Sequence, residues 1–191
     1  MVTTLKVRQP EDEALIANVI GFWKEAGAQG RWFGKDDGFD RKFRKAFLGV
    51  HMDVATRRLD GWMTTAEGAL ALLILTDQFP RNAFRGTGHM YATDPLARCY
   101  ARHACKARHM ERIESDLQLF FCLPFAHSED VADQDVSVKL NAKLGEPWLS
   151  HAEGHRNIIR RFGRFPHRNQ MLGRETTLEE AAFLRDGGFR G

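Results

Sequence analysis

The chain has 191 residues, of which 43% are hydrophobic and 28% are charged, and its formal net charge is +3. This balance is typical of a globular domain with an apolar core, and it does not indicate a disordered or fibrous chain. The charge is too small to identify a nucleic-acid-binding protein. Three cysteines without a CxxC pair favour neither a disulfide framework nor a zinc finger.

The first thirteen residues contain no apolar core of a signal peptide. The longest apolar run, residues 69–75, is far shorter than the roughly 20 residues of a membrane-spanning helix. We therefore expect a cytoplasmic protein without a membrane partner.

Helical periodicity begins near the start of the chain. Pro10 and the three acidic residues after it are typical of a first helical turn. A second helix is predicted to begin at Asp36 or Asp37, either of which can act as its N-cap. Three aromatic residues of this helix share one face and are predicted to be core: Phe39, Phe43 and Phe47.

The middle of the chain predicts buried helices. Thr64 and Glu67 have the spacing of a capping box ahead of the apolar run 69–75, which is apolar on every side. A second apolar segment, residues 117–123, is predicted to end at Pro124, because proline interrupts a helix.

The last third of the chain predicts further helices. Residues 148–162 carry an apolar stripe at helical spacing, and Thr176 with Glu179 forms a second predicted capping box. No long stretch alternates with period two, so no strand is predicted. Short connections predict one all-α domain over residues 1–191, either a bundle or an array of antiparallel helical hairpins.

Two segments share an unusual pattern, a Phe-Pro turn followed by Arg-Asn. Proline is expected to stop a helix there, arginine can pair with a carboxylate or a phosphate, and asparagine suits a left-handed turn. The candidate binding residues in and beside these turns are Asp77, Arg81, Asn82, Arg85, Arg164, His167, Arg168 and Asn169.

Charge is also segregated along the chain. Six arginines and no acidic residue lie between Glu153 and Glu175, whereas residues 127–135 hold four carboxylates. Because their charges are opposite, the two segments are expected to face each other. The candidate residues that they add are His127, Glu129, Asp130, Gln134, His155 and Arg156.

Three interpretations of these charges stay open. The first is a set of intramolecular ion pairs that fix the angles between helices. The second is a polar groove whose additional guanidinium groups bind an anionic small molecule or a peptide carboxylate. The third is weak nucleic-acid binding, which the scarcity of lysine in the arginine-rich segment does not favour.

Histidine chemistry is the last alternative. His155 lies on the apolar stripe of residues 148–162, where a histidine is more often a core residue than a catalyst. His151 precedes it by four residues, but the glutamate between them does not fit the HExxH pattern, and we predict neither a metal site nor a cofactor. The enzymatic alternative is a hydrolase with His127, His155 or His167 as general base.

Several short motifs resemble a known bacterial family. They include Phe-Trp at residues 22–23, the segments 77–82 and 127–130, and the string 162–169 followed by Leu-Gly-Arg at 172–174. Together they resemble domain-of-unknown-function family nine hundred and twenty-four over about residues 20–184. The resemblance implies an all-α, tetratricopeptide-like superhelix, and it implies no activity.

We therefore expect a non-catalytic helical scaffold. It is expected to bind a small anionic ligand, or a peptide or protein partner, in a groove lined by the two Phe-Pro turns and residues 127–134.

Overall fold

The computed structural model describes residues 10–191, and every regular element in this range is helical. The prediction of an all-α fold is therefore confirmed, while the tetratricopeptide-like arrangement stays a prediction. The prediction that the chain begins without a signal peptide concerns residues that lie largely outside this range. The α-helices within it are α1 (Pro10–Ala28), α2 (Asp37–Ala55), α3 (Ala66–Leu73), α4 (Phe79–Ala83), α5 (Asp94–Lys106), α6 (Leu119–Ala126), α7 (Val131–Leu144), α8 (Trp148–Phe162) and α9 (Leu178–Arg185).

The helices form two compact units. Unit 1 comprises residues 10–85 and 89–124, and unit 2 comprises residues 86–88 and 125–191. The prediction of one domain over the whole chain stays a prediction. None of the helices in residues 10–191 combines the length and the apolar character that crossing a bilayer requires.

The core of unit 1 is aromatic. Asp36 caps α2 by accepting hydrogen bonds from the backbone N–H groups of its first turn, as predicted. Phe43 of α2 is buried, and its ring centroid lies 5.4 Å from Trp23 and 5.1 Å from Phe79. Residues 69–75 are buried throughout, which confirms the prediction of a buried apolar helix.

The core of unit 2 is smaller. Ile158 and Ile159 of α8 are buried together with Phe165, and Phe162 and Phe183 pack against them from the edge. α8 contributes three of these five residues, so it supplies most of this core.

Both predicted N-caps are wrong by one residue, and α3 has no capping box, because Gly68 has no side chain to complete one. The N-cap of α3 is Thr65, whose hydroxyl accepts the N–H of Gly68, and Thr64 lies before it. The N-cap of α9 is Thr177, which forms the capping box with Glu180. Each site has two threonines in succession, so the local sequence offers two possible N-caps.

The predicted end of α6 at Pro124 is also wrong, because the helix continues to Ala126. The side chain of the buried Gln134 binds the backbone at the end of α6. Its Nε2 donates to the carbonyl oxygens of Phe125, Ala126 and Ser128, at 3.3, 2.8 and 2.7 Å. These bonds supply partners to carbonyl groups that a helix end otherwise leaves unsatisfied.

Candidate functional site

The first Phe-Pro turn lies in unit 1. A π-helical segment, Ile74–Gln78, follows α3 and leads directly into α4, where Pro80 occupies the first turn. The prediction that proline stops a helix here is wrong, because the first turn needs no N–H from that residue.

The arginines of this turn are neutralised within unit 1. Arg81 donates to both carboxylate oxygens of Asp94, at 2.9 and 3.1 Å, and its Nη1 lies 3.2 Å from Asp77 Oδ1. Burial lowers the pKa of Arg81, but the charges of Asp77 and Asp94 outweigh it and raise the pKa above its ordinary value. Arg85 Nε donates to Asp40 at 2.7 Å, and Asn82 Nδ2 donates to the same carboxylate at 2.8 Å.

The second Phe-Pro turn lies in unit 2 and is organised by Glu180. Arg164 donates to both oxygens of this carboxylate, at 2.6 and 2.9 Å, and Asn169 Nδ2 donates to it at 3.2 Å. The bond from Arg164, stronger than the opposing effect of burial, lowers the pKa of Glu180 to about 2. Arg168 is buried, with its guanidinium carbon 4.6 Å from the ring centroid of Phe165.

The carboxylates of residues 127–135 meet the arginine-rich segment inside unit 2. Glu129 accepts two hydrogen bonds from Arg174, at 2.9 and 2.8 Å, and one from the N–H of Phe165. Burial raises the pKa of Glu129, but these bonds outweigh it and lower the pKa below its usual range. Asp130 is the N-cap of α7, and Arg156 pairs with Asp135 at 3.5 Å.

These contacts agree with the interpretation as internal ion pairs. The two Phe-Pro turns belong to different units, so the predicted groove that both would line stays a prediction.

Unit 2 also contains a hollow of about 600 Å³, here called the α8 hollow. One face of α8 forms its floor from Pro147 to Phe162, and Phe183 of α9 and Phe189 of the following segment complete the wall. The lining residues of α8 recur every three or four positions, which places them along one side of the helix.

The walls of the α8 hollow are mainly apolar. The rings of Phe162 and Phe183 lie 5.1 Å apart, beside Ile158. Gly154 lies in the middle of the floor, and a Cβ atom at this position would meet nothing within 4 Å. The absence of a side chain there leaves space along the helix.

His155 contributes a neutral imidazole to the wall. Its ring centroid lies 4.6 Å from Phe189 and 5.5 Å from Phe165, and within residues 10–191 its Nδ1 atom has no hydrogen-bond partner. Burial above all, together with the charges of His127, Arg168, His151 and His167, lowers the pKa of His155 to about 3. The imidazole is therefore uncharged at neutral pH.

Arg161 supplies positive charge at one end of the hollow. Its Nε donates to Glu179 at 2.9 Å, and its guanidinium carbon lies 4.7 Å from the ring centroid of Phe162. In the described part of the chain, its two terminal nitrogens have no hydrogen-bond partner.

Of the predicted candidates, only His155 lines the α8 hollow. The sequence interpretation assigned residues 148–162 one buried stripe and did not detect the neighbouring face, which is open. A signal was present in the glycine at position 154, since a helix-interior glycine costs about 1 kcal/mol relative to alanine.

Among residues 10–191, no group of three or more His, Cys, Asp or Glu side chains is arranged to hold a metal ion.

Comparison with known proteins gives two matches that extend over nearly the whole chain. The model of a family described as bacterial protein of unknown function (DUF924) matches residues 19–188. The chain is 53% identical to a protein of unknown function from Agrobacterium tumefaciens whose structure is solved. The match covers 92% of this chain and 99% of that chain, with a TM-score of 0.89. No curated protein matches the chain.

Proposed function

Because the chain belongs to the bacterial family DUF924, whose function is unknown, we propose a function from the geometry: unit 2 binds a small, mainly apolar organic molecule in the α8 hollow. The hollow itself carries this proposal. Its volume of about 600 Å³ falls within the usual range of small-molecule sites, and its walls combine aromatic rings with a few polar groups, as such sites do.

The ion pairs of the two Phe-Pro turns support this location over the predicted arginine-lined groove. Arg81, Arg85 and Arg164 each donate to a carboxylate of their own unit. A ligand that bound them would have to displace these carboxylates. We therefore propose the α8 hollow, and not the predicted groove, as the site of the small ligand. The peptide or protein partner and the cytoplasmic location stay predictions.

The pKa of His155 favours binding over hydrolysis. His127 and His167, the other two predicted general bases, do not line the hollow. His155 does line it, but a base is most effective when its pKa lies near the working pH, and burial lowers the pKa of His155 to about 3. A neutral imidazole can still donate or accept a hydrogen bond with a bound molecule.

The test fills the hollow from its floor. Gly154→Leu adds a side chain where a Cβ meets no neighbour, so the variant should fold with unchanged stability or with a gain of about 0.5–1 kcal/mol. The neutral fluorescent probe N-phenylnaphthylamine should bind the unmodified protein saturably, and the substitution should weaken this binding at least tenfold.

Gly49→Leu is the matched control. Gly49 lies inside α2 of unit 1, and a Cβ atom there also meets nothing within 4 Å. This variant should bind the probe as the unmodified protein does. Equal binding by both variants, or no saturable binding by the unmodified protein, would overturn the proposed function.

A further inference from the structure

We propose that the molecule bound in the α8 hollow carries a carboxylate and that Arg161 binds this group; the inference rests on the function proposed above. The guanidinium group of Arg161 lies at the edge of the aromatic wall formed by Phe162 and Phe183. Within residues 10–191, its terminal nitrogens donate no hydrogen bond.

Arg161 differs from its neighbours in how its terminal nitrogens are used. Arg160 Nη2 donates to Asp135 at 3.0 Å. Arg164 Nη2 donates to Glu180 at 2.9 Å, and both terminal nitrogens of Arg174 donate to Glu129. Arg161 uses only Nε, toward Glu179, so within residues 10–191 its Nη1 and Nη2 groups are left to receive another anion.

The orientation of Arg161 is restrained by aromatic rings. Its guanidinium carbon lies 4.7 Å from the centroid of Phe162 and 5.8 Å from that of Phe183. A guanidinium held over aromatic faces gains a cation–π interaction and keeps its planar fork of donors at the edge. The same two rings line the hollow, so a carboxylate on Arg161 would place the rest of the molecule against apolar surface.

The charges at the two ends of the hollow define one direction for the ligand. Glu146 lies at the opposite end and accepts hydrogen bonds from the N–H and the hydroxyl of Ser150. At 1.5 Å per helical residue, Trp148 and Arg161 are separated by roughly 20 Å along α8, and Glu146 precedes Trp148 by two residues. A carboxylate would be repelled at the first end and attracted at the second.

The space at Gly154 indicates the length of the apolar part. Arg161 lies seven residues after Gly154, which corresponds to about 10 Å along the helix. A short arylalkyl carboxylate spans this distance, with its carboxylate at Arg161 and its ring at the gap above Gly154. Phenylbutyrate is a suitable probe, and phenylbutanol is its neutral counterpart.

Glu179 makes the proposal specific, because its negative charge, 2.9 Å from Arg161 Nε, repels a carboxylate that binds the terminal nitrogens of the same guanidinium. Its removal should strengthen the binding of a carboxylate, whereas removal of Arg161 should weaken it. A purely structural role of the Arg161–Glu179 pair would give both substitutions the same sign. Arg160→Gln is the matched control, since Arg160 is adjacent and similarly exposed but does not line the hollow.

The experiment is calorimetric titration of the full chain at neutral pH. We expect phenylbutyrate to bind about tenfold more tightly than phenylbutanol, in line with one charge-assisted interaction. Arg161→Gln should remove this preference and leave phenylbutanol binding unchanged. Glu179→Gln should increase the affinity for phenylbutyrate severalfold, and Arg160→Gln should change neither affinity.

The outcomes separate the two proposals. Equal affinity of the unmodified protein for both probes, or equal losses in Arg161→Gln and Arg160→Gln, would overturn the role of Arg161 and leave the binding function standing. No saturable binding of either probe at millimolar concentration would overturn both.

Discussion

The ring of Phe189 packs against the ring of His155, with their centroids 4.6 Å apart. Phe189 also lies 5.1 Å from the ring of His167 and 6.3 Å from that of Phe165. The segment that follows α9 therefore covers one side of the imidazole. Burial is the largest cause of the lowered pKa of His155. The packing of Phe189 therefore helps to keep this imidazole of the α8 hollow uncharged.

The first prediction concerns the pH dependence of stability. In the folded protein the pKa of His155 is about 3, against 6.5 for the unperturbed group, so between these values the unfolded chain binds more protons. The contribution of neutral His155 to the free energy of unfolding should be complete above pH 6.5 and should be lost as the pH decreases toward 3. Between pH 6.5 and 4.5, the free energy of unfolding of the His155→Gln variant should therefore fall by about 2–3 kcal/mol less than that of the unmodified protein, as measured by urea denaturation.

The buried His51 of unit 1 also has a pKa lowered mainly by burial, and it should contribute equally to both proteins. The comparison therefore isolates His155. Parallel stability curves for the two proteins would contradict the lowered pKa.

The second prediction concerns the cover over His155. Phe189→Ala should expose the imidazole and raise its pKa toward 6.5, as followed by NMR titration of the ring protons. Since Phe189 is already 39% exposed, the cost in stability should be modest, about 1 kcal/mol. Phe33→Ala, in unit 1, serves as the control and should leave the titration of His155 unchanged.

The third prediction concerns the carboxylate that organises the second Phe-Pro turn. Glu180 is 2% exposed and accepts bonds from Arg164, Asn169 and the N–H of Thr177. Glu180→Gln leaves Arg164 without its carboxylate and should cost about 2–4 kcal/mol in urea unfolding. Glu179→Gln, at the adjacent and exposed position, should change stability by less than about 0.5 kcal/mol.

The pH dependence of this group follows from its pKa of about 2. The contribution of Glu180 should be complete above its ordinary value of 4.5 and should disappear as the pH falls toward 2. A Glu180→Gln protein that loses stability over this range as steeply as the unmodified protein would contradict the assignment.

The fourth prediction concerns the first Phe-Pro turn. Asp40 is buried and accepts hydrogen bonds from both Arg85 and Asn82. Asp40→Asn removes the charge that neutralises Arg85 and should cost about 2–3 kcal/mol. Asp53→Asn, which breaks an exposed pair with Arg58, should cost less than about 1 kcal/mol, and equal costs would contradict an internal role for Asp40.

The helices could be predicted from the sequence because periodicity and N-caps are local properties. Asp36 before Phe39 and Phe43 is sufficient to place the start and the buried face of α2. The starts of α3 and α9 were missed by one residue. Each start has two neighbouring threonines, either of which can act as an N-cap. At α9 the bonds of Glu180 to Arg164 and Asn169 favour Thr177, and these bonds form only in the folded chain.

The sequence by itself determined that this chain is helical and that carboxylates and arginines are present in opposed segments. Only the tertiary structure decided which carboxylate neutralises which arginine, because partners such as Glu129 and Arg174 are 45 residues apart. It also decided which side of α8 stays open. That side depends on where Phe183 and Phe189 pack, and the periodicity of one helix contains no information about the element that covers it.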